Sequence, residues 1–556
     1  MRLSQAHRQW KSNILSMMLV VVLCLIPALN VGAQNDSTSV LASGKWVKIS
    51  IEKEGIYQLT KDKLSAMGFK DPTKVKLYGY GLEVLPEYGL KNLDDDLCEI
   101  PLWRKDNGTL LFFGCGTTQW YAEDWNVQKE SISQTAFKHM NNPYSKVICY
   151  FLTEDDKEPA SLKKEVEEKG GTEVTTFPEH ALIETDEFSY INSGRTFFEK
   201  YDFGGKATKQ YRLNLPGYAG GAVKLDVCFS AASNNSSSLS ITANQARMGQ
   251  LTFSKLAQYE YADVEEGSFV WKNAHADNDS IILTHSGTSG TAGHLDFIRA
   301  SYLRKLSLTD KKFLVFRSNE KYAKTQQFTL NGAGSNTHIW RITKMSEMSE
   351  ITGSLEESKL IFSATASRDD KFVAVNVDES YPEPTVVGNI QNQNLRSLKN
   401  IDLVIITPAN GKLNEEAQRL ADAHADHDSM KCVVVSADKV YNEFSSGTPD
   451  ATAYRRFMKM LYDKGENTNS KPKNICLFGD GIWDNRMVTG SFGGLKPDDY
   501  LLCYESDNSV SHTDSYVLEE YFTILHDTED NDPAAESPDC GVGRIAVKTV
   551  ADAAKV

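Results

Sequence analysis

The residues of this chain best spaced for chemistry are two aspartates in a glycine-rich turn. In Phe478-Gly-Asp-Gly-Ile-Trp-Asp-Asn-Arg486, Asp480 and Asp484 follow an apolar strand. In open α/β sheets, functional side chains gather just past the carboxyl ends of strands. The glycines let the chain turn sharply, and two carboxylates there can bind a cation, orient a catalytic group or cap backbone. Asp and Asn favour such turns on their own account, so capping or a structural supporting role is the expectation for both. Whether they hold a metal is left open.

Other candidates are weaker. His424 and His427 lie three apart at the end of an expected helix, a spacing that can put two ligands on one face. No motif supplies a third ligand, so a solvated helix end is expected, with histidine complementing the helix dipole. The acidic stretch 527–532 lacks the alternating ligands and central glycine of a calcium loop. Cys540 is preceded by His512 and His526, but nothing in their spacing fixes a Cys–His dyad, and buried packing is expected for Cys540. There is no nucleophile elbow, P-loop or zinc-helix motif, and no cofactor is expected. No catalytic residue is therefore assigned within the chain.

The elements that would position these residues change character near residue 400. Upstream, short runs alternate apolar and polar residues, as half-buried strands do. They include residues 46–51, 75–78, 110–113, 146–152, 223–229, 280–284, 313–316 and 372–376, separated by Gly, Asn, Asp and Ser turns. This spacing suggests antiparallel sandwiches. A charged stretch, 157–171, reads as a helix or exposed loop near a domain boundary. Downstream, Ile401-Asp-Leu-Val-Ile-Ile-Thr407 is a continuous apolar strand of the kind buried on both faces. Asn414 can cap a helix carrying Ala417, Leu420 and Ala421. A strand at 432–435, a helix over about 450–463, a strand at 475–478 and another at 541–547 follow. This alternation predicts a parallel sheet with right-handed crossovers.

Bulk composition agrees with a multidomain globular protein. The chain has 556 residues, 40% hydrophobic and 24% charged, too many for one core. A formal net charge of -15 argues against nucleic-acid binding, which needs basic patches to neutralise phosphate. Arg2, Arg8 and Lys11 precede an apolar run, residues 14–29, and Val31-Gly32-Ala33, so residues 1–33 read as a signal peptide cleaved after Ala33. A retained anchor fits less well, because Pro27 interrupts a run already short of the roughly 20 residues a span needs. Of the nine cysteines, eight lie beyond that segment. An even number in an exported protein invites disulfides, yet Cys149, Cys432 and Cys476 sit in apolar strands and read as small buried hydrophobes.

Several stretches taken together resemble the gingipain-type cysteine peptidase family. They are Asp402-Leu-Val-Ile-Ile-Thr407, Ala417-Gln-Arg-Leu-Ala-Asp422, Val440 to Asp450, Leu477-Phe-Gly-Asp-Gly481 with Asp484-Asn485-Arg486, and Gly541-Val-Gly-Arg544. Asn392-Gln-Asn-Leu395, Trp46 to Tyr57 and Ser193-Gly-Arg195 are similar to the sortase branch of that family, which serves type IX secretion. The resemblance implies β-sandwich-like modules followed by the first part of an α/β caspase-like domain. The expected division is 1–33 signal peptide, 34–175 β-rich domain, 176–395 β-sandwich-like domain and 396–556 incomplete peptidase domain. It further implies a Cys nucleophile activated by a His in a Gly-His-Gly setting, both after the Gly-Val-Gly-Arg strand. The sequence holds no Gly-His-Gly, so both are expected beyond Val556. By the same resemblance, the partners are cargo proteins with C-terminal sorting domains and an outer-membrane β-barrel, at the outer membrane, cell surface or periplasm. The alternative is a non-catalytic surface or secretion component that binds partners through its β modules.

Overall fold

Alternating side chains make Trp46–Ile51 the second strand of a five-stranded sheet. Its order is Thr385–Ile390, Trp46–Ile51, Ile148–Glu154, Val75–Gly79 and Cys98–Ile100, every pairing antiparallel. The computed structural model describes residues 38–89, 93–166, 168–466, 470–490, 492–526 and 536–556. The expected signal peptide and the acidic stretch 527–532 lie outside the described residues. Thr385–Ile390 comes from far along the sequence, so the chain returns to its first sheet before entering the C-terminal region.

Between these passes lie two antiparallel sandwiches. One pairs the sheet of Thr176–Glu184, Ala292–Lys305, Val223–Ala232 and Asp263–Trp271 with that of Lys206–Leu213, Asp279–Ser286, Ser237–Ala243 and Ala246–Phe253. Its core includes Val227, Phe229, Ile241, Trp271, Ile281 and Ile298, all fully buried. The other is built on Phe313–Arg317, Lys324–Asn331, Thr337–Ile342, Lys359–Ala366 and Lys371–Asn376 around Phe316, Phe328, Phe362 and Phe372. The charged stretch 157–171 forms no helix among its described residues. Lys163–Lys164 instead pairs in parallel with Met348–Ile351 at the edge of this second sandwich, extended backbone being favoured where a free edge supplies partners.

The C-terminal region carries a four-stranded parallel sheet, in the order Cys432–Ser436, Leu403–Thr407, Asn474–Phe478, Gly541–Ile545. Helices Ala437–Phe444 and Thr452–Glu466 pack on one face, and Asn414–Asp428 on the other. Both faces of Leu403–Thr407 are thereby covered, which is why its run is apolar up to Thr407. Ala437–Phe444 buries Val440, Tyr441 and Phe444, each contributing roughly 1.5–3 kcal/mol on leaving water. Asn414 is the first helical residue and Leu413 the cap. The Asn414 side chain turns back to the sheet, its Oδ1 accepting from the Thr407 hydroxyl at 2.5 Å, and so is not free to cap. Strand order reverses between Leu403–Thr407 and Asn474–Phe478. Their carboxyl ends therefore open a crevice at a topological switch point.

Candidate functional site

The turn after Phe478 lies at this crevice. Gly479 N–H donates to the Ile545 carbonyl (3.0 Å) and Asp480 N–H to that of Val547 (3.1 Å), fixing the turn to the neighbouring strand. Leu501 N–H donates to the Asp480 carbonyl (2.9 Å), bringing Leu501–Glu505 alongside. Gly481 permits this approach: a Cβ there would stand 2.4 Å from Cys503 Sγ and 3.3 Å from Arg544 Nη1. Asn485 makes a two-way bond to the backbone of Cys503, donating to its carbonyl and accepting its N–H, both at 3.0 Å. Arg544 donates to Glu519 (2.7 Å) and to the carbonyls of Leu502 (3.1 Å) and Gly479 (3.4 Å).

The two aspartates part company here. Asp480 is at the rim, paired with Lys548 at 2.9 Å. That hydrogen bond holds the Lys548 ammonium above its ordinary range. Asp484 is fully buried, its Oδ2 accepting the N–H groups of Val488 (2.7 Å) and Thr489 (2.8 Å) and the Thr489 hydroxyl (2.8 Å). It organises the next turn from within, while its Oδ1 has no hydrogen-bond partner. Glu505, 1% exposed, also lacks a partner for either oxygen. Burial pushes its carboxyl up to about 9; Arg195 works against the shift and Asp484 adds to it. Glu505 is thus a neutral acid at pH 7 beside a second buried carboxyl.

The first sandwich closes over this region through residues 193–197. Gly194, with φ of +75°, packs so tightly that a Cβ would lie 2.0 Å from the Asn508 carbonyl oxygen. Arg195 then joins three parts of the chain. It forks onto Glu87 with 2.5 and 3.0 Å bonds, donates to Asp507 at 2.6 Å, and gives its backbone N–H to Ser506. Phe197 packs on Trp483 (ring centroids 5.8 Å apart), and Arg486 pairs with Asp186 at 2.7 Å.

No described cysteine has the surroundings of a nucleophile. All eight are free, and burial raises every one of their thiols, to about 11 for Cys476 and about 12 for Cys98, Cys503 and Cys540. A catalytic thiolate needs the opposite shift. Among the described residues no histidine hydrogen-bonds to a cysteine. His526 pairs with Asp539 at 2.5 Å, His512 contacts Tyr261, and Cys540 packs against the core. His424 bonds Asp428 at 2.7 Å, and His427 is exposed beyond it.

Comparison with known proteins places this geometry. Residues 396–556 match the model of peptidase family C25. The C-terminal segment is similar to family C25. The chain is also similar to the crystal structure of dimeric latent PorU from Porphyromonas gingivalis, with a TM-score of 0.80 and 27% identity, over 93% of this chain and 49% of that one. This chain thus spans about half the length of that protein. A second likeness, to the CBM36-1 domain of a multidomain xylanase from the hindgut metagenome of Trinervitermes trinervoides, covers 22% of this chain and 95% of that one at 12% identity. Its TM-score of 0.16 carries no argument. No match to this chain is found among curated protein sequences. The gingipain-type resemblance read from the sequence agrees with the C25 match and the PorU-like fold.

Proposed function

We propose that this chain is the N-terminal part of a PorU-like cysteine peptidase, its sheet crevice forming one wall of the catalytic domain. The C25 match over 396–556, joined to a PorU-like fold over 93% of the chain, is the observation that carries this reading. The reaction is thiolate attack on a peptide carbonyl, giving an acyl-enzyme that passes to water or an amine. Since burial raises all eight described thiols, the nucleophile and its base are assigned to sequence outside the described residues. Asp484, Asn485 and Arg544 fix the loops of the crevice, while the sandwich is clamped beside it by Arg195.

The substrates on this reading are type IX cargo proteins, processed at their C-terminal sorting domains at the outer membrane with a β-barrel partner. The test is to delete the gene and measure intact masses of secreted cargo. Cargo that keeps its sorting domain, and is processed again on complementation with the complete reading frame, supports the reading. Normal processing without the gene would overturn it and favour a partner-binding role for the β modules.

A further inference from the structure

Two covalent paths join the first sheet to the sandwiches: residues 155–175 on the way out and 377–384 on the way back. The outward path carries the charged stretch 157–171 and is held to the second sandwich at two points. Lys163–Lys164 pairs in parallel with Ser349 and Glu350, continued by the Glu165 N–H donating to the Glu350 carbonyl at 2.9 Å. Thr172–Val174 pairs in parallel with Gln326–Phe328. With only two and three residue pairs, both attachments open at little cost.

Lys169 and Gly170 lie between these points and form neither hydrogen bond nor ion pair among the described residues. Both are exposed. A Cβ on Gly170 would meet nothing within 4 Å, whereas one on Gly171 would stand 2.6 Å from the Thr325 carbonyl oxygen. The chain therefore stands off the surface at the Lys169–Gly170 bond and docks again at Gly171. The two glycines take φ of +78° and +106°, a turn with no side chain to shield the bond. Exposed turns of small residues are where endopeptidases nick folded chains. The lysine on the amino side of this bond is the residue a trypsin-class enzyme requires.

The rest of the fold decides what such a cut would leave. Val47, Ile49 and Leu152 share one core with Trp340, Val373 and Val375. Trp46–Ile51 pairs with Thr385–Ile390, which arrives by the return path. The hairpin of Thr118–Val127 and Ile132–Asn141 is fastened to the first sandwich from several sides. Lys224 pairs with Glu123 at 2.8 Å, Asn141 donates to Glu184 at 2.8 Å, and the Phe137 N–H donates to Ser301 Oγ at 3.0 Å. None of these contacts uses the outward path, so the two pieces stay interlocked.

We propose that the Lys169–Gly170 bond is a processing site for a trypsin-class endopeptidase, the product being a two-chain protein held together by packing alone. Water adds across the peptide bond, leaving a carboxylate on Lys169 and an amine on Gly170. The cut unties the N-terminal piece from the sandwiches and leaves its position to the shared core, the returning strand and the hairpin. This inference does not depend on the peptidase reading.

The test treats the whole chain with a trace of trypsin in native buffer and follows intact mass, amino-terminal sequence and gel filtration. The first cut should yield a new terminus reading Gly-Gly-Thr-Glu, with both pieces eluting together and parting only in denaturant. Lys169→Gln should slow that cut about tenfold, whereas the double change Lys163→Gln, Lys164→Gln should leave its rate unchanged. Protein recovered from its own cells should contain a species that begins at Gly170. A first cut at another bond, an unchanged rate in Lys169→Gln, pieces that part in native buffer, or only uncut protein from those cells would overturn the proposal.

Discussion

Replacing Glu505 with glutamine should flatten the dependence of stability on pH. Glu505 is 1% exposed with neither oxygen partnered, and burial beside Asp484 lifts its carboxyl from 4.5 to about 9 despite Arg195. A carboxyl raised in the folded state leaves stability intact below the unfolded value and removes it as pH climbs to the folded one. At about 1.4 kcal/mol per pH unit, the wild-type chain loses roughly 4 kcal/mol between pH 5 and pH 8 through this group alone. At pH 7 the loss is about 3 kcal/mol. Glutamine cannot ionise, so the variant-minus-wild-type difference should rise with pH by that amount. The new amide leaves its own buried polar atoms unpaired, at roughly 1–3 kcal/mol. The decisive readout is therefore the slope of the difference, not its absolute value. Thermal melts from pH 5 to 8 measure it; a cooperative unit of 150–250 residues shifts by about 2–4 °C per kcal/mol. Parallel curves for the two proteins would show that Glu505 is not a buried neutral acid.

Gly481→Ala should cost about 1–3 kcal/mol by overpacking against Cys503; adding Cys503→Ala should recover part of it in a thermal-melt double-mutant cycle, and strict additivity would refute the contact. Arg195→Ala leaves the partly buried Glu87 with only the Tyr144 hydroxyl and should cost about 1–3 kcal/mol, seen as faster limited proteolysis between the sandwich and the C25-like segment. Arg195→Lys should rescue poorly, because a lysine cannot reproduce the fork. Asp484→Ala should speed hydrogen exchange at Val488 and Thr489, whose N–H groups it now accepts, while Asp480→Ala at the rim should leave them unchanged.

The α/β region was legible because its burial is written into local sequence. Leu403–Thr407 is apolar at every position but the last, and only a strand covered on both faces reads that way. Helix Ala437–Phe444 lies in a stretch read only through family resemblance: eight residues hold barely two turns, too few for a periodic signal. The candidate site was half visible. The glycine-flanked turn marked Asp480 and Asp484, yet nothing local separates a rim carboxylate from a buried one, since Lys548 and the backbone of Thr489 are supplied by folding. Glu505 carried no signal at all. It sits between a tyrosine and a serine, and its isolation arises from tertiary packing. The sandwich spacing was readable as alternation, but which strands end a sheet, as Phe313–Arg317 does, depends on which strands find neighbours.

The claim that this is part of a cysteine peptidase is tested most directly by finding its fast thiol. The product of the complete reading frame would be treated briefly with substoichiometric iodoacetamide at pH 6, and the alkylated cysteine identified by peptide mapping. The account predicts one rapidly modified cysteine outside the eight described here, with cargo processing lost as it is alkylated. Rapid alkylation of one of those eight, or no fast thiol anywhere in a product that processes cargo, would contradict it.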